Sequence, residues 1–425
     1  MTKAPSASDW TDVRARQLLR ELFLAAIASA NPAFVLVNHL PALPKGRVIV
    51  VGAGKAAAAM AMAVEAAWPD VALSGVVVVP YGYGIPTRKI KVREAAHPVP
   101  DGNSVSAAQE MLEAVRGLTR DDLVLALISG GGSSVLVLPA DGLTLEDKQA
   151  ANRALLSSGL DIRTMNIVRR RLSAIKGGKL AAAAAPARVV TLAISDIPGD
   201  DPGAIASGPT VYDGGALADI GWAIERLEGH IPPSVLDHLK RPVSPAQARV
   251  ESEFHMVATP ATALNAAASL ARASGIDVEI LGDDLEGEAR EVGAAMASHA
   301  FAPARRPRVV LSGGETTVTI GSARPGRGGR NSEFLLALGL ALNSAPRVWA
   351  LAGDTDGEDG ASGGAAGAVL TPDTIQRGVA AGLDIAASLD AHDSGSYFDR
   401  LGDAIVTGPT RTNVNDFRAI LIVPG

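Results

Sequence analysis

At 425 residues the chain is too long for one hydrophobic core, which predicts two domains. Hydrophobic residues make up 47% and charged residues 20%, so the chain is globular, and a net charge of −6 argues against binding nucleic acid or an anionic membrane by bulk electrostatics. With no cysteine, disulfides, thiolate metal sites and a cysteine nucleophile are excluded, which fits a reducing cytoplasm.

The N-terminal region has no basic segment followed by an apolar run and a cleavage site, so no signal peptide is expected. Leu18, Leu19, Leu22, Phe23, Ala26 and Ile27 recur at i, i+3, i+4 spacings and predict an amphipathic surface helix rather than a membrane span. Strands are expected near 46–52, 75–80, 89–96, 123–129 and 188–195, with helices between them. Ser104 reads as the N-cap of a helix over 105–116. Thr144 and Asp147 have capping-box spacing for a helix over 145–158 that Gly159 ends. A second helix near 162–175 runs into Lys176-Gly177-Gly178-Lys179, and the alanine tract 181–185 is the tail of a helix that Pro186 stops.

Pro232, Pro233, Pro242 and Pro245 interrupt any apolar period, so the domain boundary is placed there, with domains over 1–240 and 246–425. The second half resumes the alternation, with strands near 254–258, 277–281, 308–312, 347–352, 404–407 and 417–423.

Five apolar runs of strand length end in glycine-rich turns: 46–56, 123–135, 189–201, 308–318 and 348–360. Runs of this kind read as buried parallel strands, whose C-terminal turns are where open α/β sheets bind ligands. Gly52-Ala53-Gly54-Lys55-Ala56-Ala57 matches G-x-G-x-x-A superficially, yet the next strand ends Val79-Pro80-Tyr81, without the carboxylate that would hold an NAD ribose. Lys55 reads better as an ammonium on a phosphate, because a cation at a helix start opposes the dipole unless an anion shares the site. Ser129-Gly130-Gly131-Gly132-Ser133-Ser134 can form a nest of N–H donors; it has neither P-loop spacing nor a nucleophile elbow.

Asp196 ends a further strand, where a carboxylate could accept a hydroxyl proton or hold Mg²⁺, while Asp200 and Asp201 read as turn caps. Gly326-Arg327-Gly328-Gly329-Arg330 precedes an apolar helix over 334–342, and its arginines suit an oxyanion clamp, Arg330 above all. Asp354-Thr355-Asp356-Gly357-Glu358-Asp359 resembles the start of an EF-hand loop, but Ala365 stands where the glutamate belongs, so calcium of that type is rejected. The acidic cluster makes sense if a divalent metal and phosphates meet there. His97 reads as structural. Arg169, Arg170, Arg171, Lys176 and Lys179 read as a solvated helix face, with Lys176-Gly177-Gly178 able to approach a ligand. Glycine turns, one lysine, one arginine and several aspartates are the parts of a phosphoryl-transfer site, so the residues point to a small-molecule kinase.

The segments 51–61, 95–102, 127–136, 166–181, 194–210, 311–318, 326–334, 353–360 and 407–416 together resemble the class II glycerate 2-kinase family, whose second domain is of the MOFRL type. The resemblance runs from end to end. It implies a Rossmann-like, mainly parallel N-terminal α/β domain, a MOFRL-type C-terminal α/β domain and an active site in the cleft between them. It implies ATP-dependent phosphorylation of D-glycerate on its 2-hydroxyl, with Mg²⁺, to give 2-phosphoglycerate and ADP. Lys55, Asp196 and Arg330 are then the central catalytic positions. Gly54, Ser129, Gly130, Gly131, Gly132, Ser133, Ser134 and Glu315 would face the nucleotide or substrate, and Asp354, Asp356 and Asp359 are candidate Mg²⁺ ligands. Some family members carry the name hydroxypyruvate reductase, so NAD(P)H-dependent reduction of hydroxypyruvate is the rival reading. A cytoplasmic enzyme, with small-molecule partners only and compatible with a homo-oligomer, completes the expectation.

Overall fold

The first sheet grows from runs of residues apolar on both faces. The strands are β1 (Val48–Ala53), β2 (Leu73–Pro80), β3 (Lys91–Ala95), β4 (Leu123–Ile128), β5 (Arg188–Ile194) and β6 (Glu253–Ala258). Every residue of β1 and β4 is buried, as expected for strands covered on both sides. In this computed structural model, which describes residues 10–212, 219–242, 252–302, 305–321 and 324–424, the strand order is β3-β2-β1-β4-β5-β6. The pairs β2–β3, β1–β2, β1–β4 and β4–β5 are all parallel. This is the doubly wound order of dinucleotide-binding sheets, and its direction of winding reverses between β1 and β4. A helical layer carries its own core: Ala151, Leu155, Val168, Leu172, Ala223, Leu227, Val235 and Leu239 pack together from the helices Leu145–Ser157, Ile162–Arg171, Gly221–Leu227 and Pro233–Lys240.

The second sheet holds β7 (Asp277–Ile280), β9 (Arg308–Ser312), β11 (Val348–Asp354), β12 (Gly367–Leu370), β13 (Ala404–Ile405) and β14 (Asp416–Ile422), in the order β13-β12-β11-β14-β9-β7. The two-residue strands β8 (Gly287–Glu288) and β10 (Thr316–Thr317) pair separately. Here the expectation of parallel strands fails. β11 is antiparallel to both β12 and β14, β14 is antiparallel to β9, and only β7–β9 is parallel. An apolar run reports burial on two faces, which either strand direction can supply. The short β12 was not expected at all. The helix Arg330–Leu342 packs into this sheet's core, with Phe334, Leu335, Leu336 and Leu338 fully buried. The helix Ala289–Phe301 lies close against it: a Cβ on Gly293 would stand 2.3 Å from the Phe334 carbonyl oxygen.

The chain divides into two units along lines different from a single cut between 240 and 246. One unit is Pro32–Ser195 with Asp200–Val257; the other is Met1–Asn31, Asp196–Gly199 and Ala258–Gly425. The helix Asp12–Ala28 therefore belongs to the second unit. Its stripe of Leu18, Leu19, Leu22, Phe23 and Ala26 is buried as the spacing predicts, and Phe23 meets Phe417 of β14 with ring centroids 5.8 Å apart. Asp12 accepts a hydrogen bond from the Trp349 indole at 3.0 Å, and Arg16 pairs with Asp403 at 2.8 Å. The strand expected near 254–258 joins the first sheet as β6, tied to β5 by the Arg188–Glu253 ion pair at 2.6 Å.

Thr144 and Asp147 form the expected capping box. Asp101, not Ser104, caps the helix Gly102–Ala114, with Ser104 as its reciprocal partner at the third helical position. Among the described residues no helix is long and apolar enough to cross a membrane.

Candidate functional site

The first unit gathers its candidates where the winding of the sheet reverses. The turn after β1 carries Gly54 and Lys55, and the turn after β4 carries residues 129–134. The two are laced together. The Lys55 N–H donates to the Gly130 carbonyl at 2.8 Å, the Ala56 N–H to the Ser129 hydroxyl at 3.0 Å, and the Ser129 N–H to the Ala53 carbonyl at 3.0 Å. Gly54 is required twice over. Its φ is +120°, and a Cβ there would lie 2.3 Å from the Ser129 carbonyl oxygen.

Backbone accounting for the second turn leaves donors over. Gly132 and Ser134 donate to the Ser129 and Gly131 carbonyls. For the N–H groups of Gly130, Gly131 and Ser133 no acceptor occurs among the described residues. Unused donors beside a lysine, at the C-terminal edge of a doubly wound sheet, have the form of an anion nest. His97 is closer to it than its structural reading implied. A Cβ on Gly131 would lie 3.3 Å from the His97 Nε2 and 3.4 Å from the Lys55 Cγ, so the turn, the imidazole and the lysine stem converge on one point.

The turn is braced from below. Ser133 and Ser207 hydroxyls lie 2.9 Å apart, and the Lys176 ammonium donates to the Ser133 carbonyl. Ala206 and Ser207 both hold positive φ, at 51° and 61°, conformations that cost energy for residues with a side chain. Lys176 is 4% exposed and Arg170 is 6% exposed, so this basic segment is not the solvated face its composition suggested.

In the second unit Arg330 opens the helix Arg330–Leu342, whereas the sequence placed it before the helix. Each arm of its guanidinium meets a carboxylate: Nε meets Asp416 at 2.9 Å, one terminal nitrogen meets Asp354 at 2.9 Å, and the other meets Glu315. Burial works against its charge, but Asp416, Asp354 and Glu315 more than offset this and raise its pKa. Arg418, fully buried in β14, also pairs with Asp416 at 2.9 Å and donates to the Gly313 carbonyl at 2.8 Å. Burial lowers the Arg418 pKa despite that pairing. Neither Asp416 nor Arg418 stood out in the sequence: Asp416 closes the segment 407–416, and Arg418 lies in the apolar strand expected at 417–423. Arg327, the other arginine of the loop, pairs at the surface with Asp399 at 2.6 Å.

The aspartates divide by job. Asp359 is 1% exposed, and its oxygens accept from the N–H groups of Asn331 and Ser332 at 2.9 Å each and from the Ser332 hydroxyl at 2.7 Å. That occupies it as a cap on the helix start, so it does not fit as a metal ligand. Gly329 is glycine for the same reason: a Cβ would lie 2.2 Å from the Asp359 carbonyl oxygen. Asp354 accepts from the Asp356 N–H at 3.0 Å, and Asp356 accepts from the Glu358 N–H at 2.8 Å. Among the described residues no three His, Cys, Asp or Glu side chains form a ready metal cage. The donor set still fits Mg²⁺ in the form that takes one or two carboxylates and completes its shell with water and phosphate oxygens. Asp354 and Asp356 are hard oxygen donors, and the Oδ1 of Asn331, next to Arg330 in the chain, is buried without a hydrogen-bond donor. Asp196, just past β5, accepts from the Asn413 amide at 3.0 Å. Asn413 lies within the segment 407–416, where nothing in the sequence marks it out from its neighbours.

A doubly wound sheet with a nest of unused N–H donors beside a lysine, and a mixed sheet with an arginine–carboxylate cluster, define a two-unit α/β enzyme of the phosphoryl-transfer type. Comparison with known proteins agrees. Residues 18–240 match a domain of unknown function, DUF4147, and residues 308–416 match the MOFRL family. A protein of Agrobacterium vitis, provisionally named hydroxypyruvate reductase, is 56% identical over 97% of this chain and 96% of its own length. The D-glycerate 2-kinase of Thermotoga maritima is 36% identical over 96% of this chain and 98% of its own. The crystal structure of a glycerate kinase from that organism superposes with a TM-score of 0.85 at 36% identity, covering 97% of this chain and all of that one. The chain belongs to the class II glycerate 2-kinase family.

Proposed function

We propose that this chain transfers the γ-phosphoryl group of ATP to the 2-hydroxyl of D-glycerate, giving 2-phosphoglycerate and ADP. The observation that carries the reading is the set of unused N–H groups of Gly130, Gly131 and Ser133 beside Lys55. Phosphoryl transfer asks mainly for positioning and charge neutralisation, and a preformed N–H nest supplies both without reorganising during the reaction.

In this reading the nest holds phosphate oxygens of ATP and Lys55 neutralises charge that builds on the transferring group. Asp196, steadied by Asn413, orients the 2-hydroxyl and takes its proton as the new O–P bond forms and the bond to the ADP oxygen breaks. Asp354 and Asp356 are the residues that would hold Mg²⁺, which would supply neutralisation of phosphate charge. Arg330 is committed to Glu315, Asp354 and Asp416, so it serves as a positioning residue that fixes the Asp354 carboxylate. This replaces the direct oxyanion clamp suggested by its sequence context.

Hydroxypyruvate reduction is the second reading, favoured by the provisional name of the Agrobacterium vitis relative and by the strand order. Against it, β2 ends at Val79-Pro80 and is followed by Tyr81, with no acid for a ribose. A coupled assay offering ATP with D-glycerate, and separately NADH with hydroxypyruvate, separates the two. The kinase reading expects ADP that depends on D-glycerate and no consumption of NADH.

A further inference from the structure

Four basic residues of the first unit crowd one place, and among the described residues none of them forms an ion pair. Lys148 lies on the helix Leu145–Ser157, Arg169 on the helix Ile162–Arg171, and Lys176 and Lys179 on the segment that follows. Lys148 donates to the Leu172 carbonyl at 3.1 Å, and Lys179 donates to the Arg170 carbonyl at 3.1 Å and to that of Ser173. Arg169 donates to the Asn152 and Asn166 side-chain oxygens at 3.0 and 3.2 Å. Lys176 donates to the Ser133 carbonyl. All these acceptors are neutral. Among the described residues no carboxylate reaches ion-pair distance of any of the four; Asp141 acts on Lys179 only from farther away.

The simplest use of such cations is to face the end of a helix. The carbonyl ends of Arg169, Arg170 and Leu172 close the helix Ile162–Arg171, and a helix C-terminus carries about half a negative charge. That accounts for one ammonium at most, not for four cations. Their crowding has a cost: burial, and then the charges of Lys179 and Arg169, lower the Lys148 pKa, and burial with Lys148 and Arg169 does the same to Lys176. Lys148, Arg169 and Lys179 are half-buried, whereas Lys176 is buried.

We infer that Lys148, Arg169, Lys176 and Lys179 form an oxyanion site for a phosphate or carboxylate group of a small molecule, adjoining the turn after β4. The carbonyl contacts hold the cations in place, and the bound anion supplies the charge that the protein omits. Lys176 links this site to the N–H nest, since its ammonium grips the Ser133 carbonyl. Naming the occupant as the carboxylate of D-glycerate or a phosphate of ATP rests on the kinase reading; the anion site itself does not.

The test is the thermal unfolding midpoint of the full chain, titrated with inorganic phosphate against chloride at matched ionic strength. Lys148→Met and Arg169→Met are compared with wild type, with Lys148→Arg, and with Lys91→Met, which removes an exposed charge on β3. Phosphate should stabilise wild type, Lys148→Arg and Lys91→Met, and the two site variants should need on the order of tenfold more phosphate for the same shift. Circular dichroism of the variants separates lost binding from lost folding, and Lys148→Arg keeps the test open if Lys148→Met fails to fold. Repeating the titration with D-glycerate and with ATP assigns the occupant, according to which shift the site variants lose. An equal phosphate response in wild type and both site variants, or none in wild type, overturns the inference even if the enzyme proves to be a kinase. A lost phosphate response in an enzyme that makes no ADP leaves the site standing and removes the kinase reading alone.

Discussion

Asp359 closes the start of the helix that begins at Arg330, taking the Ser332 N–H and hydroxyl on one carboxylate oxygen at 2.9 and 2.7 Å. The acid that looked like a metal ligand is a cap supplied from another loop. Asp359→Ala should therefore cost stability, by roughly 2–4 kcal/mol: the loss of a cap plus the desolvation of buried donors left without an acceptor. Urea unfolding measures it. Asp354→Asn should show the opposite pattern, with near-normal stability and a raised Mg²⁺ requirement for turnover. Equal Mg²⁺ dependence in both variants would remove Asp354 from the metal site.

Lys55→Met should lower kcat/KM on the order of 10²–10³, comparable to losing one oxyanion donor, with unfolding little changed. Steady-state kinetics of ADP release checks this. Near-normal activity would remove Lys55 from the reaction.

Gly329→Ala introduces no backbone strain, because the φ of Gly329 is −150°. Its Cβ would instead press on the Asp359 carbonyl oxygen at 2.2 Å. Moving that backbone also moves the Asp359 carboxylate, so the variant should lose about 2–3 kcal/mol. Unfolding measured on the pair Gly329→Ala and Asp359→Ala should be less than additive, since both act on one cap.

Lys148 gives a pH signature. Burial first, and then Lys179 and Arg169, lower its pKa from 10.5 to about 7 in the folded chain. Between these values the unfolded chain binds the proton and the folded chain does not, so stability rises with pH across that window. Below about 7 both states are protonated and the penalty is constant. Stability of wild type relative to Lys148→Met should thus climb from pH 7 to pH 10, measured by urea unfolding in steps of pH. A flat difference would mean that Lys148 is not desolvated.

Much of the first sheet was legible because its strands are continuous apolar runs and its turns are spelled in glycine. Gly54 and the residues from Ser129 to Ser134 stand where the sequence put them, since local chemistry dictates both strand and turn. The second sheet was legible as strands but not as pairings. β11 and β14 bury both faces, and burial does not encode whether a neighbour runs parallel. The arginine–carboxylate cluster was only half legible. Arg330, Asp354 and Glu315 adjoin glycine-rich runs of the sequence, whereas Asp416 and Arg418 sit two residues apart in an otherwise apolar strand, and their burial is tolerable because they pair with each other at 2.9 Å, Asp416 also pairs with Arg330, and Arg418 also donates to the Gly313 carbonyl. Asn413 and the crowding of Lys148 with Arg169 depend on residues distant in sequence, a relation that spacing does not reveal.

The most direct test is the product of a single incubation with ATP, Mg²⁺ and D-glycerate, resolved by proton-coupled phosphorus NMR. The account predicts ADP together with 2-phosphoglycerate, its phosphorus coupled to the single proton on carbon 2. Phosphorus coupled to the two protons of carbon 3, or ATP left intact while hydroxypyruvate consumes NADH, would contradict it.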